Sequence, residues 1–451
     1  MTEHFARDIA VQVLYAVDVE GAYTNLELDK ALFSCDLPTQ DKGLITELVY
    51  GTVTYRDHLD FVLQNYSNKP VKKMDGLTRQ ILRMAFYQLL FLDRIPAHAA
   101  VNEAVNTAKR LQNKHQRSDK FINAILRRYL ADEGPIQWPD RRKNTAGYFA
   151  KYYSFPQWMV DTWLKEYGKA GAEQFCQYMN AKAPLVARVN TLQVSREQLI
   201  DDLAKENISA IPFDAIPEAL VLQTPGSLRD IKAFQEGRFI IQDTSSMLVA
   251  HALSAQAHDR IADLCAAPGG KTTHIAALMQ DKGRVDAFDL HAHRVQLIQE
   301  NARRLGITCI EASVQDGTQF SADVPYDRVL VDAPCSGLGV LNRRPDARWH
   351  RRRQQIPDLV ALQGQLLDRA AEAVKPGGIL LYSTCTTLRA ENEDQTKAFL
   401  ARHPEFVPEP LPELLSPFLS EDGASDCRII PQRDQMDGFY LAKFRKGNAH
   451  G

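Results

Sequence analysis

No apolar run in the 451 residues reaches the roughly 18 that a membrane-spanning helix needs, so no membrane partner is expected. A secretory leader is missing too. MTEHFARDIAVQVLY alternates charged and apolar residues at helical spacing, without an apolar core or a small-residue cleavage site, and a cytoplasmic protein is expected. The seven cysteines (Cys35, Cys176, Cys265, Cys309, Cys335, Cys385 and Cys427) form no CxxC pair, and their number is odd. That argues against a disulfide framework or a structural zinc site and leaves reduced thiols as the expectation. The histidines also lack metal spacing. His291 and His293 are two apart and would point away from each other on a helix, so no metal is expected. With a net charge of −2 there is no global field to draw in a polyanion, and any nucleic-acid binding must rest on local basic patches. GxGxxG is missing as well, which removes the phosphate cradle of a dinucleotide.

What the chain has is arranged in blocks. Residues 3–131 read as helices: Phe5, Ile9, Val13 and Val17 repeat at every fourth position, and ILRMAFYQLLFL (81–92) is apolar nearly all round, as a buried helix would be. AHAAVNEAVNTAKRLQ (97–112) and DKFINAILRRYL (119–130) repeat the helical period, so an all-α domain over 1–140 is expected. DEGPIQWPDRRKN (132–144) breaks the pattern with two prolines and a glycine. A small α/β module then fits 150–235, beginning with a helix at 155–168 that Gly168 would cap and continuing through strands at 185–192 and 219–225. From 236 to 447 strands and helices alternate with short loops, which means a parallel doubly wound sheet. The last strand, DGFYLAKFRK, is expected antiparallel at the edge.

DLCAAPGGKT (263–272) is the first candidate ligand loop. Its small residues let the backbone approach a ligand closely, and a helix begins behind it with free N–H groups. Asp289 follows Gly269 by 20 residues at a strand end, where an acid can accept hydrogen bonds from a ribose diol. Asp316 ends the next strand, where it can face an adenine amino group. An S-adenosylmethionine site needs ribose and adenine contacts but no pyrophosphate cradle, and it fits this loop better than a dinucleotide does.

Cys335 in VDAPCSG and Cys385 in LYSTCT, 50 residues apart, each follow an apolar strand-like run. Free cysteines are mostly small buried hydrophobes. These two instead sit in turns flanked by Pro, Ser, Gly and Thr, where a thiolate can act as a nucleophile. Asp332, three residues before Cys335, adds a carboxyl. A thiol and a protonated carboxyl suit a pyrimidine: sulfur adds to carbon 6 of cytosine, the carboxyl steadies ring nitrogen 3, and carbon 5 becomes nucleophilic enough to take a methyl group. The residues alone leave open which cysteine attacks.

The motifs IIQDTSS (240–246), DLCAAPGGKT, DLHAHR (289–294), QDG (315–317), VDAPCSGLGV (331–340) with RRPDARW (343–349), and YSTCT (382–386) are similar, in order, to those of the RNA cytosine-5 methyltransferases over about 238–445. IPAHAAVNEAV (95–105) and FINAILRR (121–128) resemble the NusB-like domain of one bacterial branch, which methylates small-subunit ribosomal RNA. The resemblance implies an all-α NusB-like N-terminal domain, a small α/β linking module and a C-terminal α/β Rossmann-like class I methyltransferase domain. It implies S-adenosyl-L-methionine as cofactor, 16S ribosomal RNA as partner and a monomer. By the resemblance Cys385 is the nucleophile, Cys335 assists product release, and Asp332 contacts the cytosine at the edge of the cofactor site. Cys265, Ala266, Ala267, Pro268, Gly269, Gly270, Lys271, Asp289, Asp316 and Asp332 bind the cofactor. Two departures stand out. QDG replaces the more usual GDG, and RIIPQRDQMDGFY lacks the glycine often found before MDGF, so a different local loop is expected there.

LNRRPDARWHRRR (341–353) holds six arginines and a tryptophan, a pattern that suits phosphates and a stacked base. A second basic set, Lys109, Arg110, Lys114, Arg117, Lys120, Arg127 and Arg128, lies in the helical region. Two other readings compete: an RNA-binding ribosome-assembly factor with a vestigial pocket, and a nicotinamide oxidoreductase, which the missing GxGxxG disfavours.

Overall fold

The computed structural model describes residues 5–448 apart from 114–116, 133, 224–225, 227 and 421–422. Lys114 of the basic set lies outside the described residues. The chain forms two compact units, Met1–Ala181 with Leu341–His350, and Lys182–Val340 with Arg351–Gly451. Among the described residues no helix is long and apolar enough to cross a membrane.

The first unit holds α1 (Ala6–Val19), α2 (Thr24–Ser34), α3 (Thr39–Thr54), α4 (Arg56–Tyr66), α5 (Gly76–Phe91), α6 (Ala97–Leu111) and α7 (Asp119–Ala131). Ile9, Val13 and Val17 put the expected stripe of α1 into the core, while Phe5 caps the helix and stays exposed. α5 is the buried helix, with Ile81, Leu82, Met84, Ala85 and Phe86 fully covered. It starts where Asp75 accepts a hydrogen bond from the Thr78 N–H at 3.0 Å, meeting one of the free donors of the first turn. α8 (Thr145–Tyr152) and α9 (Gln157–Asn180) complete the unit. The cap expected at Gly168 is instead a kink inside α9: its φ of 66° breaks the helical geometry for one residue and the helix resumes. The stretch 150–235 is therefore divided, α9 packing in the first unit and everything from Lys182 onward, strands and helices alike, in the second.

The second unit begins with a four-stranded antiparallel sheet, order β2-β3-β1-β4, made of β1 (Leu185–Val189), β2 (Ser209–Pro212), β3 (Ala219–Gln223) and β4 (Phe239–Ile241). α10 (Arg196–Lys205), opened by a Ser195–Gln198 capping box, and α11 (Lys232–Gln235) lie between its strands in sequence. Then follow α12 (Thr244–Leu253), β5 (Arg260–Asp263), α13 (Gly270–Leu278), β6 (Arg284–Asp289), α14 (Ala292–Leu305), β7 (Ile310–Val314) and β8 (Tyr326–Asp332). After α15 (Ala347–His350) in the first unit come α16 (Ile356–Ala373), β9 (Val374–Thr384), α17 (Glu393–Arg402), β10 (Phe406–Pro408), β11 (Asp426–Ile429), α18 (Pro431–Asp434) and β12 (Phe439–Lys446).

The large sheet runs β10-β12-β9-β8-β5-β6-β7, with β11 also on β12. β9, β8, β5, β6 and β7 are parallel. β12 is antiparallel to β9 as expected, but β10 and β11 flank it, so it is not the edge. Successive strand residues feed opposite cores: Ile261, Leu330 and Leu381 meet α12 and α13, whereas Ala262, Val329 and Leu380 meet α16. The chain runs outward from β5 to β6 and β7, then returns to β8 on the other side of β5. That reversal opens a crevice beyond the ends of β5 and β8, where such sheets bind ligands.

Candidate active site

Three loops reach this crevice: 264–269 after β5, 333–340 after β8 and 385–388 after β9. In the first, Gly269 takes φ 97° at the start of α13, and a Cβ there would approach Ile298 Cα to 3.1 Å, so both backbone and space call for glycine. Asp289 is buried and accepts hydrogen bonds from the Ala267 and His291 N–H groups at 3.3 Å. Asn301 donates to the Pro268 carbonyl at 2.9 Å. The loop thus arrives shaped, with Asp289 joined to it. Asp316 is exposed and caps its own turn, accepting from Thr318 N at 2.9 Å. Its neighbour Gly317 lies against the loop, for a Cβ there would come 3.5 Å from the Leu264 carbonyl oxygen.

Asp263, fully buried at the end of β5, accepts from Thr272 Oγ1 at 2.8 Å, while its Oδ1 has no hydrogen-bond partner. Burial pushes its carboxyl up to about 7. Asp332 ends β8 and is held on both oxygens, by Lys271 Nζ at 2.6 Å and by Ser383 Oγ at 2.7 Å. Burial lowers the Lys271 ammonium, but Asp332 and the nearby Cys385 outweigh that and leave it raised. The two thiols meet: Cys335 Sγ and Cys385 Sγ are 3.4 Å apart. The Cys335 thiol is pushed well up by its hydrogen bond to Cys385 and by burial. Cys265, also in the loop, is pushed up by burial.

Several residues of the site were not singled out from sequence. Ser383 was passed over inside YSTCT. Glu391 and Asn392, both fully buried, tie the two cysteine loops together. Arg188 of β1, 1% exposed, donates to Gln242 Oε1, to the Gly270 carbonyl and to Thr273 Oγ1, bracing the start of α13 from the small sheet. The nearest signal in the sequence was an arginine inside an apolar strand.

Two expectations fail. Trp349 and Arg348 were read as RNA contacts, yet both belong to the helical unit. Arg348 is fully buried, donates to the carbonyls of Thr54, Ser154 and Met179 and to Asn180 Oδ1, and lies 4.1 Å above the Phe155 ring. The Trp349 indole donates to the Val53 carbonyl at 2.7 Å beneath the Arg56 guanidinium. Arg344, Arg352 and Arg353 stay exposed. Second, His291 and His293 stack at 5.6 Å rather than pointing apart, because His291 is the cap and not a helical residue. Sequence spacing also could not show that His251 of α12, His274 of α13 and Glu218, in the turn before β3, converge, with donor atoms within 4.8 Å of one another. His274 is pushed down to about 4 by burial beside Arg188, and lies 2.7 Å from Glu218 Oε1 without hydrogen-bonding alignment.

Residues 250–445 match the family model described as 16S rRNA methyltransferase RsmB/F, residues 4–131 that of the NusB family, and residues 155–229 that of an RsmF/B-like ferredoxin-like domain. The chain is 39% identical over 459 residues to the probable ribosomal RNA small subunit methyltransferase B of Bacillus subtilis (strain 168), covering 99% of this chain and 100% of that protein. It is 35% identical to ribosomal RNA small subunit methyltransferase B of Proteus mirabilis (strain HI4320), covering 99% of each. Among solved structures, PH0851 superposes with a TM-score of 0.83 at 27% identity, covering 98% of this chain and 99% of that one. NSun6 from Pyrococcus horikoshii, solved with SFG, superposes with a TM-score of 0.59 at 26% identity over 65% of this chain and 99% of that one.

Proposed function

The chain belongs to the RsmB/F family of 16S rRNA methyltransferases, and from that premise we propose that it methylates carbon 5 of a cytosine through a covalent bond to Cys385. S-adenosylmethionine is the cofactor of the family's reaction, and the crevice suits it: the unpartnered Oδ1 of Asp263 offers an acceptor, and the first turn of α13, which no side chain caps, offers free N–H groups. Cys265 to Lys271, Asp289 and Asp316 would hold it, and when bound it supplies an electrophilic methyl group.

The observation that carries the reading is the meeting of two thiols beside a doubly held carboxylate. Cys385 lies near Lys271, whose positive charge favours the thiolate that adds to carbon 6. The electron pair pushed into the ring needs a proton at nitrogen 3. The sequence suggested a protonated carboxyl; the ion pair lets Lys271, 2.6 Å from Asp332, bring that proton instead. Once carbon 5 is methylated, a base removes its proton and the sulfur–carbon bond breaks. Cys335, 3.4 Å from the attacking sulfur, is placed to assist that departure. Carbon 6 is reached only on an unpaired or extruded base.

Transfer of labelled methyl to 16S RNA tests the assignment. Cys385→Ala should abolish transfer, and Cys335→Ala should accumulate a protein–RNA adduct that survives denaturation. Full transfer by Cys385→Ala would sink the proposal. The rival, an assembly factor with a vestigial pocket, predicts no heat of binding for S-adenosylmethionine.

A further inference from the structure

Glu391 takes part in no step above, yet it is the hub between the two cysteine loops. Its carboxylate is fully buried. One oxygen accepts from the Ser336 N–H at 2.8 Å and from Gln363 Nε2 at 3.0 Å; the other accepts from the Ser336 hydroxyl and lies 3.2 Å from Thr386 Oγ1, which also meets the Ser336 hydroxyl at 2.6 Å. Ser336 follows Cys335, and Thr386 follows Cys385. The Glu391 carbonyl accepts from the Tyr382 hydroxyl on β9 at 2.7 Å. Asn392, next in the chain, accepts from Thr384 Oγ1 at 2.6 Å and donates to the Thr386 carbonyl at 3.0 Å, so Cys385 is pinned on both sides.

We propose that Glu391 is a positioning residue: its buried carboxylate clamps the Cys335 and Cys385 loops together and so sets the 3.4 Å separation of the two sulfurs. The proposal rests on the assignment of roles to Cys385 and Cys335. A carboxylate suits the task because its two oxygens accept from the Ser336 N–H, the Ser336 hydroxyl and Gln363 at once in a site that water does not reach. The amide introduced by Glu391→Gln would still bridge the loops, since the Ser336 and Thr386 hydroxyls can turn and accept from it; Glu391→Ala would leave the loops tied only by the bond between those two hydroxyls.

The test needs a readout of thiol geometry that does not depend on catalysis. Diamide supplies one. Each thiol gives up a proton and an electron, a Cys335–Cys385 disulfide forms, and the N=N bond of diamide is reduced to the hydrazine; peptide mapping by mass spectrometry times this closure. Glu391→Ala should slow closure and lower kcat by about 100-fold with KM for S-adenosylmethionine unchanged, the cost of a misplacement near 1 Å. Glu391→Gln should stay near wild type in both. Removal of a negative charge near Cys335 would by itself speed closure, so slowing reports geometry. If Glu391→Ala does not fold, Glu391→Asp decides: it keeps the charge on a stem one methylene shorter, which leaves the Ser336–Thr386 bond in place but withdraws the carboxylate from Ser336, and it should slow closure. Wild-type closure in every folded variant would overturn the proposal, and so would a fall in kcat with closure unchanged. If Cys385→Ala keeps full transfer, the reading of the reaction fails, while the closure rates still judge the clamp.

Discussion

Lys271 answers to two groups at once, the Asp332 carboxylate and the Cys385 sulfur. Replacing it with methionine keeps the apolar stem and removes the charge that favours the thiolate. Methyl transfer near neutral pH should fall about 100-fold, the usual reach of one proton-handling group, and the rising limb of the pH–rate profile should move to higher pH. An unmoved limb would show that Lys271 does not tune the nucleophile. Asp263 gives a second titration. Its carboxyl, raised to about 7, holds its proton in the native state longer than in the unfolded chain. That contribution to stability is complete below about pH 4 and is lost as pH rises through about 7. Asp263→Asn removes the loss, so the Tm of the variant minus that of the wild type should climb between about pH 5 and 7. A constant difference would refute the raised value. RIIPQRDQMDGFY has no glycine before MDGF, and Gln435, in that place, takes a left-handed conformation, φ 54°, so a glutamine bears the strain.

At the scale of elements, the largest departure lies within 341–353, which the sequence presents as a basic RNA patch: Leu341–His350 belongs to the helical unit. Composition counts arginines but does not say which way they face. Arg348 is enclosed, and burial pushes it down to about 9, which still leaves it charged near neutral pH. Five oxygen acceptors, the Leu341 carbonyl among them, and an aromatic face replace its water. Arg348→Ala would strand those acceptors and leave a void, at a cost of about 3 kcal/mol. The thermal transition of the helical unit should drop by about 6–12 °C, while that of Arg352→Ala, an exposed neighbour, should not move measurably. An equal effect in the two would contradict the distinction. The kink at Gly168 was missed for a related reason: glycine marks both helix ends and helix breaks, and only the packing of the following turn decides. β10 and β11, short strands of three and four residues, were invisible to a reading that depends on periodicity.

Taken whole, the chain was legible where one physical rule acts alone. The strand–helix alternation after 236 pointed to the parallel sheet, and the absence of β periodicity before 131 pointed to the helical unit. The site was legible at strand ends, where Asp289, Asp332, Cys335 and Cys385 had to emerge on one side. What stayed hidden were partners distant in sequence: Ser383 on Asp332, Glu391 across both loops, Arg188 under α13, and the Glu218–His251–His274 group. Those depend on register and on packing between sheets, which no local pattern encodes.

The central claim is that sulfur of Cys385 bonds to a cytosine. RNA carrying 5-fluorocytosine tests it directly, because fluorine at carbon 5 cannot leave as a proton and the covalent species persists. Digestion and mass spectrometry then locate the nucleotide, since Arg343 and other cleavage sites separate the two cysteines into different peptides. The account predicts the methylated 5-fluorocytosine adduct on the peptide bearing Cys385. An adduct on Cys335, or none in the presence of S-adenosylmethionine, would contradict it.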